Sequence, residues 1–173
     1  PISEAVHELL RNTEEHARTD LDGNRLTRSL RVLQARRHSI GSEALDRAVA
    51  DTPAIRAYCQ RLRPPGRGKQ IQLVEISVLD SGPGLGNRYA SRRFARGDHE
   101  LELESVRECF EKNTTTKPRS GTGLGLPNVV AMLRKSNGFL RLRTGRQSLF
   151  ADLGLERDID YGVAPDLQPL QTG

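Results

Sequence analysis

The chain has 173 residues and a formal net charge of +5, and it contains no tryptophan and seven residues that are Phe or Tyr. This length suits one domain with a proper core and is too short for two independent domains. The few aromatic residues argue against a stacking platform for single-stranded nucleic acid. The positive charge favours anionic ligands without choosing among phosphates, nucleic acid and an acidic partner protein.

The two cysteines, Cys59 and Cys109, lie far apart in the sequence and have no Cys or His neighbour at metal-ligand spacing. This pattern predicts neither a zinc site nor a disulfide framework, and a cytoplasmic location is therefore expected. The sequence contains no window of eighteen apolar residues and no signal peptide before the first helix, so we expect no membrane span.

Apolar periodicity and capping residues predict the elements of the first half. A helix is expected over 3–17. Residues 18–40 fit either a helix or a strand, and a strand after a turn at Asp22-Gly23-Asn24 is favoured. Two short helices are expected over 43–50 and 53–62. Branched residues make 71–79 the clearest strand, and a glycine turn follows it.

In the second half, a helix is expected over 100–111, and another follows a polar segment and ends at Asn137-Gly138. Two alternating stretches around Gly145 predict a hairpin. We expect one domain over 1–158 and a loosely ordered tail over 159–173.

Two glycine clusters, LDSGPGLG and GTGLGL, suggest a nucleotide site. The chain contains no P-loop string, and GTGLGL has the wrong spacing for a dinucleotide fingerprint. Asp80 follows a buried strand, where its carboxylate can accept a hydrogen bond from an exocyclic amine such as that of adenine. GTGLGL runs into a helix, so its N–H groups can face an anion. One cluster is therefore suited to a base and the other to phosphate.

A third polar element, HELLRNTEEHA, lies in the first helix. Glu8 and Asn12 are four residues apart and share one helix face. The amide oxygen of Asn12 can bind Mg²⁺, a hard ion that usually also takes water and nucleotide phosphates. Glu8 could orient or deprotonate a nucleophile, which makes it the candidate catalytic residue.

The order of these three elements resembles the GHKL superfamily, which includes DNA gyrase B, heat-shock ATPase chaperones, MutL and histidine kinases. The resemblance covers about residues 3–153, and the chain is most similar to the ATP-binding domain of histidine kinases. Residues 18–70 carry no family motif and form an atypical, insert-like segment between the N box and the first glycine cluster. It implies the Bergerat or histidine kinase-like ATPase fold. This is an α/β two-layer sandwich, with helices on one face of a mixed, mainly antiparallel sheet.

By this resemblance, Asn12 of the N box would ligate Mg²⁺, Asp80 would bind the adenine amine, and NTTTKPRS would be a mobile lid over the phosphates. Ser148 occupies a position near the adenine pocket. Together with these, the predicted ATP-binding residues are His16, Gly82, Gly84, Thr116, Lys117, Gly121, Thr122, Gly123, Leu124, Gly125 and Leu126.

The leading prediction is an Mg²⁺-dependent ATP-binding module that hydrolyses ATP or uses it to drive conformational change in a larger protein or a partner. Two alternatives stay open. One is a sensor histidine kinase catalytic domain that transfers the γ-phosphate to a histidine outside this chain, and the other is a nucleotide-gated interaction module without turnover. Five arginines, at positions 25, 28, 31, 36 and 37, are typical of a solvated face; an acidic-protein or nucleic-acid surface is the less favoured reading.

Overall fold

The computed structural model describes residues 2–63, 66, 70–95, 97–111 and 125–170, which form a mixed α/β structure. In chain order the elements are α1 (Ile2–His16), β1 (Arg31–Ile40), α2 (Ser42–Ala48), α3 (Pro53–Arg61), β2 (Ile71–Asp80), α4 (Leu85–Tyr89), α5 (His99–Glu108), α6 (Gly125–Lys135), β3 (Phe139–Thr144), β4 (Gln147–Asp152) and β5 (Gln168–Pro169). No helix within these ranges combines the length and apolarity needed to cross a membrane.

The predicted helices and strands are confirmed to within a few residues at their ends. Within the ambiguous segment 18–40, the last ten residues, 31–40, are a strand, and all ten pair with β2. Helix α6 is followed by Asn137 in a left-handed conformation, with φ of 55°, as expected for a helix-ending residue. Helix α4 was not predicted.

The described strands form two separate antiparallel sheets. β1 and β2 make a two-stranded ribbon that runs from Arg31 opposite Asp80 to Ile40 opposite Ile71. The second sheet has the order β3-β4-β5. The resemblance implied a single mixed sheet, whereas every strand pairing in the described residues is antiparallel and the ribbon stands apart.

The main core lies between one face of the β3–β4 hairpin and the helices α5 and α6. Val106 and Phe110 meet Val130 and Leu149 there, and all four are almost completely buried. Cys109 packs against this core, and burial raises the pKa of its thiol to about 12. Cys109 is therefore a packing residue, not a reactive thiol.

A second core joins the ribbon to α2 and α3 through Leu45, Cys59 and Ile71. Helix α3 also reaches the opposite face of the β3–β4 hairpin. There the ring of Tyr58 lies 5.1 Å from that of Phe139. The hairpin therefore has helices on both faces, whereas the resemblance implied helices on one. The insert-like segment 18–70 is the reason, since it supplies α3.

The segment after Asp158 packs on the domain instead of being loosely ordered as expected. Leu167 and Leu170 are buried, and β5 pairs with β4. The guanidinium of Arg134 in α6 donates hydrogen bonds to carbonyl groups of this segment. It also forms an ion pair of 2.8 Å with Glu156, which lies just before the segment. Residues 171–173 lie outside the described ranges.

Candidate functional site

The N-terminal helix presents the two predicted polar residues on one face, one turn apart. Oε2 of Glu8 accepts a hydrogen bond of 2.5 Å from Arg11, and the Glu8 side chain is 17% exposed. The side chain of Asn12 is half-buried, and within the described ranges nothing hydrogen-bonds to its amide. Asn12 therefore keeps its amide oxygen available for a ligand.

The end of the second glycine cluster meets this helix face at Gly125, where α6 begins. A β-carbon built on Gly125 would lie 2.8 Å from Oε2 of Glu8 and 3.8 Å from Nδ2 of Asn12. A side chain at position 125 would therefore displace the glutamate. The contact between these two parts of the sequence explains why glycine suits this position.

The first glycine cluster meets the other end of the same helix. Oδ1 of Asp80 accepts a hydrogen bond of 2.9 Å from the N–H of Gly82, and the aspartate is exposed where β2 ends. A β-carbon on Gly82 would lie 2.8 Å from Cβ of Ala17. The loop after Asp80 and the end of α1 are therefore in close contact.

Arg88 of α4 stabilises this contact, a role that no sequence pattern predicted. Its guanidinium donates hydrogen bonds of 3.1 Å to the carbonyls of His16 and Asp20, and another to the carbonyl of Thr19. The carbonyl of His16 belongs to the last turn of α1, where carbonyls have no partner inside the helix. Those of Thr19 and Asp20 lie in the chain just after it. Helix α4 has five residues, too few to show a helical period in the sequence.

The turn between β3 and β4 lies against the first glycine cluster. The N–H of Leu85 donates a hydrogen bond of 2.6 Å to Oγ1 of Thr144, and Gly84 is so close to Gly145 that a β-carbon on it would lie 2.7 Å from the Gly145 nitrogen. The buried carboxylate of Glu102 holds the same turn by accepting hydrogen bonds from the backbone and side chain of Arg146, both of 3.1 Å. Thr144 is thus the hydroxyl that meets this cluster.

Ser148, the predicted hydroxyl near the base, lies elsewhere. Its strand neighbours Gln147 and Leu149 point to the buried core face. Because alternate residues of a strand face opposite sides, Ser148 faces the side covered by α3. The structure does not bring it to the first glycine cluster.

The remaining predicted site residues divide into two groups. His16 lies at the end of α1, where its carbonyl binds Arg88, and Leu126 packs against the main core. The other predicted residues lie outside the described ranges. They are Thr116, Lys117, Gly121, Thr122, Gly123 and Leu124.

A cavity of about 440 Å³ opens beside the first glycine cluster. Ser81, Gly82 and Pro83 form one wall, and Phe94 and Glu102 lie on others. A groove of about 620 Å³ lies between α1 and the start of β1. Asp80 and Asn12 line neither space. Gly82 meets Ala17, and Gly125 meets Glu8 and Asn12, so the convergence of Asp80 and Asn12 on one ligand stays a prediction.

Within the described ranges, no group of three or more His, Cys, Asp and Glu side chains is placed to hold a metal ion. The predicted magnesium ligand is instead an amide, which this geometry leaves available. Comparisons of the chain with family models, with curated proteins and with solved structures give no match.

Proposed function

We propose that this chain is an Mg²⁺-dependent ATP-binding module of the histidine kinase-like ATPase type. The observation that carries the proposal is the position of Gly125, where a β-carbon would lie 2.8 Å from Oε2 of Glu8 and 3.8 Å from Nδ2 of Asn12. A glycine-rich segment that enters a helix is suited to phosphate, and here that helix starts beside an available amide and a carboxylate. The contact between Gly82 and Ala17 places the first glycine cluster, the proposed base-binding one, beside the end of the same helix.

The proposed fold is the Bergerat arrangement, in which the N-terminal helix and the two glycine clusters surround one nucleotide. Contacts among these three elements support it, although the strands form two sheets. Arg88 contributes by tying the loop after β2 to the end of α1, so these two elements keep a fixed distance. The 18–70 segment would then be an addition that reshapes the sheet and leaves the site in place.

Each side chain has a distinct proposed role. Asp80 accepts a hydrogen bond from the exocyclic amine of adenine. Its Oδ1 is oriented by the hydrogen bond from the N–H of Gly82. Asn12 would hold Mg²⁺, which neutralises phosphate charge when bound. Glu8 orients or deprotonates the nucleophile, and its bond to Arg11 fixes the carboxylate beside Gly125.

The experiment that tests the proposal is a titration with ATP, with and without magnesium, followed by detection of the terminal phosphate. We expect saturable binding that tightens with magnesium, and free phosphate as the product. Radiolabel on a histidine of a supplied partner would favour the phosphotransfer alternative. Binding without phosphate release would favour the nucleotide-gated module. Absence of any adenine-nucleotide binding would refute the proposal.

Gly125→Ala should lower ATP turnover at least tenfold and reduce the stability of the fold little. The added methyl group collides with the carboxylate of Glu8, which ends a long side chain and can move away by breaking its hydrogen bond with Arg11. The protein therefore keeps its fold while the proposed catalytic group leaves its position. Phosphate release and thermal unfolding should be measured on the same preparation, with Gly97→Ala as the control because nothing lies within 4 Å of a β-carbon there. Wild-type turnover in Gly125→Ala would remove Glu8 from catalysis.

Asp80→Asn should weaken ATP binding by at least about 1 kcal/mol, because the amide mismatches a hydrogen bond with the base. Calorimetry measures the affinities for ATP and for GTP. The ratio of the two affinities should be smaller in Asp80→Asn than in the wild type. Asp98→Asn is a suitable control, since Asp98 is an acid before α5, away from the proposed site. Unchanged ATP affinity in Asp80→Asn would defeat the assignment of this residue.

A further inference from the structure

The ribbon formed by β1 and β2 has an open edge with large apolar side chains exposed. Among the described strands, β1 pairs with β2 alone. Leu30 and Leu33 are 57% and 47% exposed, and Val32 and Leu79 lie opposite each other, also exposed. An exposed strand edge with apolar side chains is a template for pairing with another chain, and natural proteins usually block it.

A groove runs along the start of this edge. It has a volume of about 620 Å³, and Leu10 and Thr13 of α1 form one wall while Leu30 to Leu33 form the other. The base of the groove is fixed, because Leu30 and Ser81 exchange hydrogen bonds of 3.0 and 3.2 Å. The groove therefore offers apolar contacts beside a strand edge, which suits an extended peptide.

Charge narrows the choice of occupant. Arg28 and Arg36 are exposed beside or within β1, and neither forms an ion pair with another described residue. The acids nearby are already engaged: Glu14 binds Arg18 and Arg31, and Glu75 lies 2.9 Å from Nε2 of His38. This hydrogen bond from His38 holds the pKa of Glu75 below its usual value. The uncompensated charge along this edge is positive.

A second copy of the chain is a poor occupant. Pairing of two β1 strands would bring Arg31, Arg36 and Arg37 of each copy into one sheet. Like charges on neighbouring strands are destabilising. A nucleic acid would use the arginines but would leave the apolar groove without a complement, and bases find few aromatic rings here.

We propose that the outer edge of β1 and the adjoining groove bind an extended segment of a partner protein in which acidic and apolar residues alternate. The backbone of the segment adds a strand to β1. Its apolar side chains enter the groove against Leu10, Leu30 and Leu33. Its carboxylates lie on the opposite face of the new strand, where Arg36 is, and reach Arg28 beside the start of β1. The inference does not depend on nucleotide binding.

The test uses a fluorescein-labelled nine-residue peptide that alternates glutamate with valine or threonine. Two control peptides have the same composition in block order, or lysine in place of glutamate. Anisotropy without nucleotide should show saturable binding of the alternating acidic peptide, at least tenfold tighter than that of either control. Hydrogen exchange should show added protection within 31–40. Equal binding of the three peptides, or no added protection there, would overturn the proposal.

Variants locate the binding surface. Arg28→Glu/Arg36→Glu should weaken binding of the acidic peptide at least tenfold. Arg141→Glu/Arg143→Glu makes the same charge change at two exposed positions of β3 and should leave binding within about twofold. Equal losses in both variants would show non-specific attraction and would overturn the proposal. A dimer formed through β1 in sedimentation would also overturn the proposal. The same holds if a DNA or RNA oligonucleotide binds this edge more tightly than the alternating acidic peptide.

Discussion

Gly84→Ala should destabilise the protein by about 3 kcal/mol, which corresponds to a loss of roughly 6 to 12 °C in the melting temperature for a chain of this size. Gly84 has φ of 90° and ψ of 157°, a region that is nearly restricted to glycine and costs a residue with a β-carbon about 1–3 kcal/mol. In addition, the new methyl group would lie 2.7 Å from the backbone nitrogen of Gly145, which cannot rotate away as a side chain can. The loop after β2 and the β3–β4 turn must then separate.

Two other glycines divide this effect into its parts. Gly23 has φ of 84° and no atom within 4 Å of a β-carbon, so Gly23→Ala measures the conformational cost alone, about 1 kcal/mol. Gly97 has neither constraint, and Gly97→Ala should change stability by less than about 0.5 kcal/mol. Denaturant titration of the three variants is the measurement. Equal losses for Gly84→Ala and Gly23→Ala would show that the collision with Gly145 contributes nothing.

Arg134→Met should cost about 3–5 kcal/mol, because it leaves the carboxylate of Glu156 buried without its cation. The side chains of this pair are 4% and 10% exposed, and Arg134 also holds carbonyls of the segment that leads to β5. Release of this segment would expose Leu167 and Leu170 as well. Urea unfolding followed by circular dichroism measures the loss of stability.

The exposed pair of Arg63 and Asp46 serves as the control, and Arg63→Met should cost less than about 1 kcal/mol. Arg134→Met/Glu156→Leu should be more stable than Arg134→Met, since the second change removes the isolated charge. A double variant less stable than the single one would show that another contact of Glu156, its hydrogen bond of 3.0 Å from the N–H of Asp166, outweighs the cost of the isolated charge. A loss below about 1 kcal/mol in Arg134→Met would contradict the prediction altogether.

The elements of this chain whose signals are local followed from its sequence. Branched residues over 71–79 and apolar spacing along α1 determine their own conformations, because a strand or helix of that length has a readable period. The polar residues of the proposed site were found in the same way, since Asp80 follows a strand and Glu8 and Asn12 are one helical turn apart. The contacts of Gly82 with Ala17, and of Gly125 with Glu8 and Asn12, required the folded chain.

Tertiary structure decided the features that depend on distant partners. The segment before Ile40 fits two conformations, and its pairing with β2 selects the strand. Ser148 and Thr144 are both hydroxyl residues of one hairpin, and the buried face of the sheet determines that Thr144 meets the loop after β2. The contacts of Arg88 and Arg134 join residues far apart in sequence, so no local pattern could predict them. Local spacing fixes which groups lie on one element, whereas burial between elements fixes which groups meet.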